Sequence, residues 1–295
     1  MKRRLFLGVV LFLFPLLLVA ADAKKDYVLT DFFRVTKPEG KKTPTSYDTA
    51  IAKFAGENNV EVDLIGAIHI GDKEYYAELN KIFRQYDVVL YELVAEENAK
   101  PVPQASGERS ILSSFQSSMG SILALEHQLQ HVDYHAENLV HADLSPSEFA
   151  QRISDRGDIF QTLFRAIILG VKKSGSEGQK DELKMQGRFL GSLFAADPSL
   201  SWKRVVAEEM MSQMDDATWV IGGEDGSAII TDRNAAALKV LRQELNKGKK
   251  KIAIFYGAAH LPEFARSLEK DFKMKYTGSD WVIAWDLTKD QSARK

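Results

Sequence analysis

The sequence predicts an α/β fold built on a mainly parallel sheet, and the first evidence is a strand, helix and strand pattern. Apolar runs at residues 62–65 and 87–94 flank residues 73–83, in which the apolar side chains have helical spacing. A helix of that length between two strands favours a crossover connection, which makes the strands parallel. A buried strand is predicted within residues 249–256, whose apolar part is 252–256, before a helix-like segment at 262–272, so the pattern occurs near both ends of the chain.

The second line of evidence is a Gly-x-x-His motif that follows the first and the last of these strands. Gly66 precedes His69, and Gly257 precedes His260 at the same offset. The carboxyl ends of parallel strands meet at one edge of a sheet, where open α/β sheets usually bind ligands. We therefore expect His69 and His260 to share one crevice with Glu92, which lies near the end of the strand at 87–94.

These elements predict one domain over residues 45–288, with a helical insertion near 108–215. The segment 45–54 is predicted to be a strand or a helix, since the sequence favours neither. Other predicted elements are an amphipathic helix at 110–120, a strand at 138–143, a helix capped by Ser145 and Glu148, a buried or lid helix at 158–171, a hinge at 172–184, a helix at 202–214 with Met210 and Met211 as core filler, and a strand at 280–286.

Residues 231–245 are predicted to form a helix that begins at a Thr231 or Asp232 cap. Arg233 and Asn234 then lie in its first turn. A cation at that position opposes the helix dipole, so Arg233 predicts an anionic partner in the crevice. The alternative is that Arg233 is an ordinary surface arginine.

Three histidines within a predicted helix near residues 122–134 suggest a second candidate site. His127, His131 and His135 are four residues apart, which places three imidazoles along one helical face. Such a face is typical of a metal-binding ladder. The favoured alternative is a solvated polar face, because glutamine and acidic residues surround the histidines.

Composition excludes several classes of function. The 295-residue chain contains no cysteine, so disulfides, thiolate nucleophiles and cysteine metal ligands are excluded. The formal net charge is −2, and no basic stripe dominates, which argues against nucleic acid as a partner.

The first 23 residues resemble an export signal. Three basic residues precede an almost wholly apolar run, and Ala21-Asp-Ala23 is a typical cleavage site. The alternative is a retained membrane anchor, since the apolar run is near the lower length limit for a spanning helix. Either outcome predicts an exported protein, periplasmic or extracellular, that contacts a membrane only through an uncleaved signal segment.

Four short motifs resemble the TraB/PrgY/GumN family, which is related to the Tiki proteases. They are Ile65-Gly-Ala-Ile-His69, Asp87-Val-Val-Leu-Tyr-Glu92, Asp232-Arg-Asn234 and Tyr256-Gly-Ala-Ala-His-Leu-Pro262. The resemblance covers residues 62–94 and 231–287 well and the helical middle poorly. Asp232 departs from the family, in which glutamate more often precedes the arginine.

The resemblance implies a metal-dependent hydrolase with His69, Glu92 and His260 at the metal. Arg233 and Asn234 match the family motif that opens the late helix. Many bacterial members of the family have no assigned activity.

The same residues support this chemistry without the family. Two imidazoles and one carboxylate suit a divalent ion such as Mn, Co or Zn that keeps an open position. Such an ion activates water against a peptide or similar acyl bond, with Glu92 and Arg233 as the catalytic residues and Arg233 and Asn234 as substrate-binding residues. The sequence does not identify the general base. Asp72 and Glu74 are candidates because they lie near the first histidine loop. The alternatives are a structural polar cluster and a non-catalytic protein that binds a peptide or small ligand in the same crevice.

Overall fold

A computed structural model of the chain describes residues 26–41, 43–96, 100, 126–156, 187–188, 191, 195, 197–212 and 228–288. The predicted signal segment lies outside the described residues. The same holds for the predicted elements at 110–120, 158–171 and 172–184.

Nine strands occur in the described part of the chain. They are β1 (Phe33–Thr36), β2 (Ser46–Ala55), β3 (Glu61–Ala67), β4 (Ile70–Gly71), β5 (Val88–Tyr91), β6 (Glu126–His127), β7 (Leu139–His141), β8 (Lys251–Gly257) and β9 (Lys275–Asp286). Seven of them form one sheet, while β4 and β6 pair separately. The undecided segment at 45–54 is therefore the strand β2, and the predicted strands at 138–143 and 280–286 are present as β7 and β9.

The main sheet has a parallel half and an antiparallel half. Strands β3, β8, β5 and β7 are parallel neighbours in that order, and β2 pairs antiparallel with β1, β3 and β9. The register of β3 with β8 places Ala67 opposite Gly257. Both Gly-x-x-His loops therefore leave the sheet side by side, and the predicted α/β fold is confirmed.

The parallel strands are apolar because both of their faces are buried. Val62, Leu64, Ile252 and Ile254 have no exposed surface. All four side chains belong to the hydrophobic core of the protein.

Six α-helices lie in the described ranges. They are α1 (Lys73–Phe83), α2 (Gln128–His131), α3 (Pro146–Arg156), α4 (Pro198–Ser212), α5 (Arg233–Asn246) and α6 (Leu261–Asp271). The predicted cap of α3 is present, because the backbone N–H of Ser145 donates to the Glu148 carboxylate at 2.9 Å and that of Glu148 donates to Ser145 Oγ at 3.2 Å. None of the described helices is long and apolar enough to cross a membrane.

The prediction that three histidines share one helical face is wrong. His127 lies in β6 opposite Ile70 of β4, His131 ends the short helix α2, and His135 lies in the turn beyond it. The helix ends at His131, whose carbonyl accepts a hydrogen bond from the Asn80 side-chain amide at 2.7 Å. The three residues therefore do not lie on one helix.

The prediction of a Thr231 or Asp232 cap on α5 is also wrong. A π-helical turn, Ala228–Asp232, leads directly into the helix, and no side chain caps it. The Asp232 carboxylate binds Arg156 at 2.7 and 2.8 Å instead, and the Thr231 hydroxyl donates to Glu263 at 3.0 Å. These contacts tie the turn to α3 and α6.

Candidate functional site

His69, Glu92 and His260 line one cavity of about 550 Å³. Each residue follows a parallel strand, since His69 comes after β3, Glu92 after β5 and His260 after β8. The three side chains differ in environment, because His69 is exposed while Glu92 and His260 are largely buried. The structure thus brings the two Gly-x-x-His histidines to one cavity, where one side chain is exposed and the other is buried.

Both oxygens of the Glu92 carboxylate are engaged within the protein. Oε1 accepts a hydrogen bond from Arg233 Nη2 at 2.7 Å, and Oε2 accepts one from the backbone N–H of Gly257 at 2.6 Å. Burial alone would raise the pKa of Glu92, but the charge of His260 in its protonated form, the Arg233 guanidinium and the Gly257 N–H hold that pKa below its ordinary value. Glu92 is therefore an ionised and fixed carboxylate at neutral pH.

Gly257 leaves no room for a side chain beside that carboxylate. A Cβ added at Gly257 would lie 3.1 Å from Glu92 Oε2, closer than ordinary contacts allow. We expect Gly257→Ala to displace the carboxylate by a few tenths of an ångström and to lower the hydrolytic activity proposed below on the order of tenfold, because catalysis is sensitive to small misplacements. Steady-state kinetics measures this loss.

Gly66→Ala is the matched control, because Gly66 occupies the equivalent motif and its added Cβ would meet only ordinary contacts at 3.4 Å and beyond. Equal activity losses in the two variants would contradict the proposed fixing of Glu92 by Gly257.

Asn234 holds the buried His260 through two hydrogen bonds. The Asn234 amide nitrogen donates to the His260 carbonyl at 3.2 Å, so its Oδ1 faces His260 Nδ1 at 2.6 Å. Nδ1 therefore carries the proton in the neutral ring, and Nε2 presents a lone pair. Burial lowers the pKa of His260 to about 4, so the ring is neutral at physiological pH. Its Nε2 lies 3.7 Å from Glu92 Oε1.

Arg233 binds two carboxylates of the protein itself. Its Nε and Nη2 donate to Asp143 at 3.0 and 2.5 Å, and Nη2 also donates to Glu92. Burial lowers the pKa of Arg233, but the bonds to Asp143 and the charge of Glu92 outweigh it and raise the pKa above its ordinary value. The anionic partner predicted for Arg233 is present, and it lies within the chain.

Asp143 is a site residue that the sequence analysis missed. Its side chain is fully buried, and it follows β7, the strand next to β5. A carboxylate just after a parallel strand lies at the carboxyl edge of the sheet, which is the reasoning that placed Glu92 there. The position of Asp143 after β7 could therefore have indicated that it belongs to the site.

Aromatic rings complete the buried side of the site. His260 meets Tyr256 edge-on, with ring centroids 5.1 Å apart, and lies parallel to Phe264 at 6.3 Å. The Tyr256 hydroxyl donates to the Ala142 carbonyl, and burial raises the pKa of Tyr256 well above its ordinary value. Water is therefore kept away from the back of His260.

The rest of the cavity wall is apolar and includes a residue that was predicted to be core filler. Met210 is 39% exposed and lines the cavity, so that prediction is wrong for Met210. Met211, the next residue, packs against the core as predicted. Successive residues of a helix point in different directions, which explains why two adjacent methionines serve different surfaces.

Asp72 and Glu74, the positional candidates for a general base, line a different cavity of about 570 Å³. Asp72 is buried and accepts bonds from Lys203 Nζ at 2.7 Å and from the Asp286 N–H at 2.6 Å. Asp72 therefore anchors α4 and β9 and does not reach the site around Glu92.

The residues of the site suit a divalent ion chemically, although they are not arranged as a closed coordination shell. A neutral imidazole with a free Nε2 lone pair lies beside an ionised carboxylate, and a second imidazole stands on the same cavity. Within the described residues, no group of three or more histidine, aspartate or glutamate side chains is positioned to hold a metal ion. His260 and Glu92 are thus the preformed pair, and His69 is the exposed third candidate.

No family model matches the chain, and no similar protein is found among the curated proteins or among the solved structures.

Proposed function

We propose that the protein is a metal-dependent hydrolase that acts on a peptide or similar acyl bond at the cavity formed by His69, Glu92 and His260. The observation that carries this proposal is the fixed pair of His260 Nε2 and Glu92 Oε1, 3.7 Å apart at a cavity wall. A neutral imidazole and an ionised carboxylate are costly to bury together without a task. Positioned groups of this kind are typical of catalytic sites.

The proposed metal ligands are His69, Glu92 and His260. A divalent ion bound there would lower the pKa of a water molecule and polarise the substrate carbonyl. The protein's own part is to keep His260 neutral by burial, to fix its tautomer through Asn234 and to keep Glu92 ionised through Arg233. Both Asn234 and Arg233 are therefore assigned as positioning residues, since neither contributes to the described cavity lining.

The resemblance to the TraB/PrgY/GumN family is part of the same proposal, and it rests on the four motifs of the sequence. Two of those motifs contain the histidines that share the cavity. We also propose that the protein is exported, on the basis of residues 1–23.

The test is cleavage of a peptide library by protein that has been stripped of metal and then supplied with Mn, Co or Zn. We expect activity to require one of these ions. His69→Ala should lower kcat/KM on the order of 100-fold with little change in stability, because His69 is exposed and its loss removes a ligand.

His135→Ala is the matched control for that variant, since His135 is also exposed and does not line the cavity. Its activity should equal that of the wild type. Cleavage that persists without metal would refute the metal requirement. Absence of cleavage with every ion, together with measurable peptide binding, would instead establish the non-catalytic binding function.

A further inference from the structure

The cavity beside Glu92 and His260 has a wall of apolar side chains drawn from several parts of the chain. They are Phe33 and Tyr47 from β1 and β2, Ile68 and Ile70 around His69, Val206 and Met210 from α4, and Ile229 and Ile230 from the π-helical turn. A cavity of about 550 Å³ is large enough for a ligand group of several heavy atoms. Water in such a cavity has few polar partners, so an apolar group displaces it favourably.

The charges next to this wall are already paired within the protein. Glu92 accepts bonds on both oxygens, from Arg233 and from Gly257, and Arg233 is held by Asp143 as well. Among the described residues that line the cavity, Glu92 is the one carboxylate, and neither lysine nor arginine is present. Away from the proposed metal ligands, a negatively charged ligand group would therefore lose its hydration without gaining a counter-charge from a side chain of the wall.

We propose that this cavity binds an uncharged, apolar side chain or acyl chain of the substrate next to the bond that is cleaved. This inference rests on the proposed function, because it assigns the cavity to the substrate of the same site. Under this proposal the apolar wall determines which substrates bind, because it contacts the apolar group beside the bond that is cleaved.

Met210 and Val206 are the residues that set the shape of this wall. They are four positions apart on α4 and so lie on the same helical face. The methionine side chain is unbranched and adaptable, which suits ligand groups of differing shape. Lys203 on the same helix is buried and bound to Asp72 at 2.7 Å, so α4 is fixed in place while Met210 remains 39% exposed.

The experiment uses the full chain with EDTA and an uncharged fluorescent dye, N-phenyl-1-naphthylamine, which reports apolar binding without catalysis. Wild type is expected to bind the dye. Met210→Glu should weaken binding at least about tenfold, because a charge replaces apolar wall, and Met210→Gln should weaken it less. 1-Octanol should displace the dye at lower concentration than octanoate, because only the alcohol is uncharged.

Ile283→Glu is the matched control, since Ile283 is 53% exposed and lines the other cavity. Its dye binding should equal that of the wild type. Absence of dye binding to wild type, equal losses in the Met210→Glu and Ile283→Glu variants, or stronger competition by octanoate would each overturn the proposal. Dye binding without peptide cleavage would refute the hydrolase and the assignment to its substrate, whereas cleavage without dye binding would refute the apolar cavity alone.

Discussion

Replacing Arg233 by methionine is expected to lower the free energy of unfolding by about 3–5 kcal/mol, the usual cost of breaking a buried ion pair by removing one partner. The variant leaves two carboxylates without their cation. Asp143 is fully buried, and the Glu92 side chain is only 14% exposed. Urea denaturation measures the change, with the midpoint compared at an unchanged m-value.

Arg266→Met is the control for the loss of an arginine. Arg266 lies 3.9 Å from an exposed Asp26 and is itself 44% exposed, so its removal should cost about 1 kcal/mol or less. Arg233→Lys should be intermediate, because a single ammonium group keeps the charge but cannot reproduce the fork of bonds to Asp143 and Glu92. A loss at Arg233 no larger than that at Arg266 would contradict the structural role assigned to this cluster.

The parallel half of the sheet could be predicted because its signals are local. Apolar runs mark β3 and β8, and the Gly-x-x-His motif at the end of each marks the same edge of the sheet. The position of β8 between β3 and β5 could not be predicted in this way. Strand order depends on pairing between distant segments, and no local pattern in the sequence encodes it.

The contacts of Arg233 show where prediction of the site ends. Its position in the first turn of a helix indicated an anionic partner, because a cation there is otherwise unfavourable. The partners Asp143 and Glu92 lie 90 and 141 positions away along the chain. The sequence therefore indicated that a carboxylate is needed, and the fold determines which ones supply it.

The histidines show the opposite case, in which a local pattern was misleading. Spacing of four residues favours one helical face, but only if the helix continues. Here the helix is short: it ends at His131, whose carbonyl accepts a hydrogen bond from the Asn80 amide. His127 lies before the helix, in a strand that pairs with Ile70. Tertiary hydrogen bonds of this kind override helical periodicity, and periodicity alone carries no sign of them.

Replacing Lys203 by methionine is expected to cost about 3–5 kcal/mol of stability, again because a buried carboxylate loses its cation. Lys203 has no exposed surface and donates to Asp72 at 2.7 Å. Asp72 in turn accepts the backbone N–H of Asp286 at 2.6 Å, so this pair joins α4, β9 and the start of α1. Thermal or urea unfolding of the variant provides the measurement.

A double variant separates the lost ion pair from lost packing. Asp72→Asn added to Lys203→Met removes the uncompensated charge, while the amide oxygen can still accept the Asp286 N–H. The double variant should therefore lose less stability than the sum of the losses in the two single variants. Lys81→Met is the surface control, since Lys81 is 67% exposed and pairs with an exposed Glu78; we expect it to cost less than about 1 kcal/mol. If the losses of stability in the two single variants add up to that of the double variant, Lys203 and Asp72 are not energetically coupled. The ion pair would then not be what holds α4 beside the cavity.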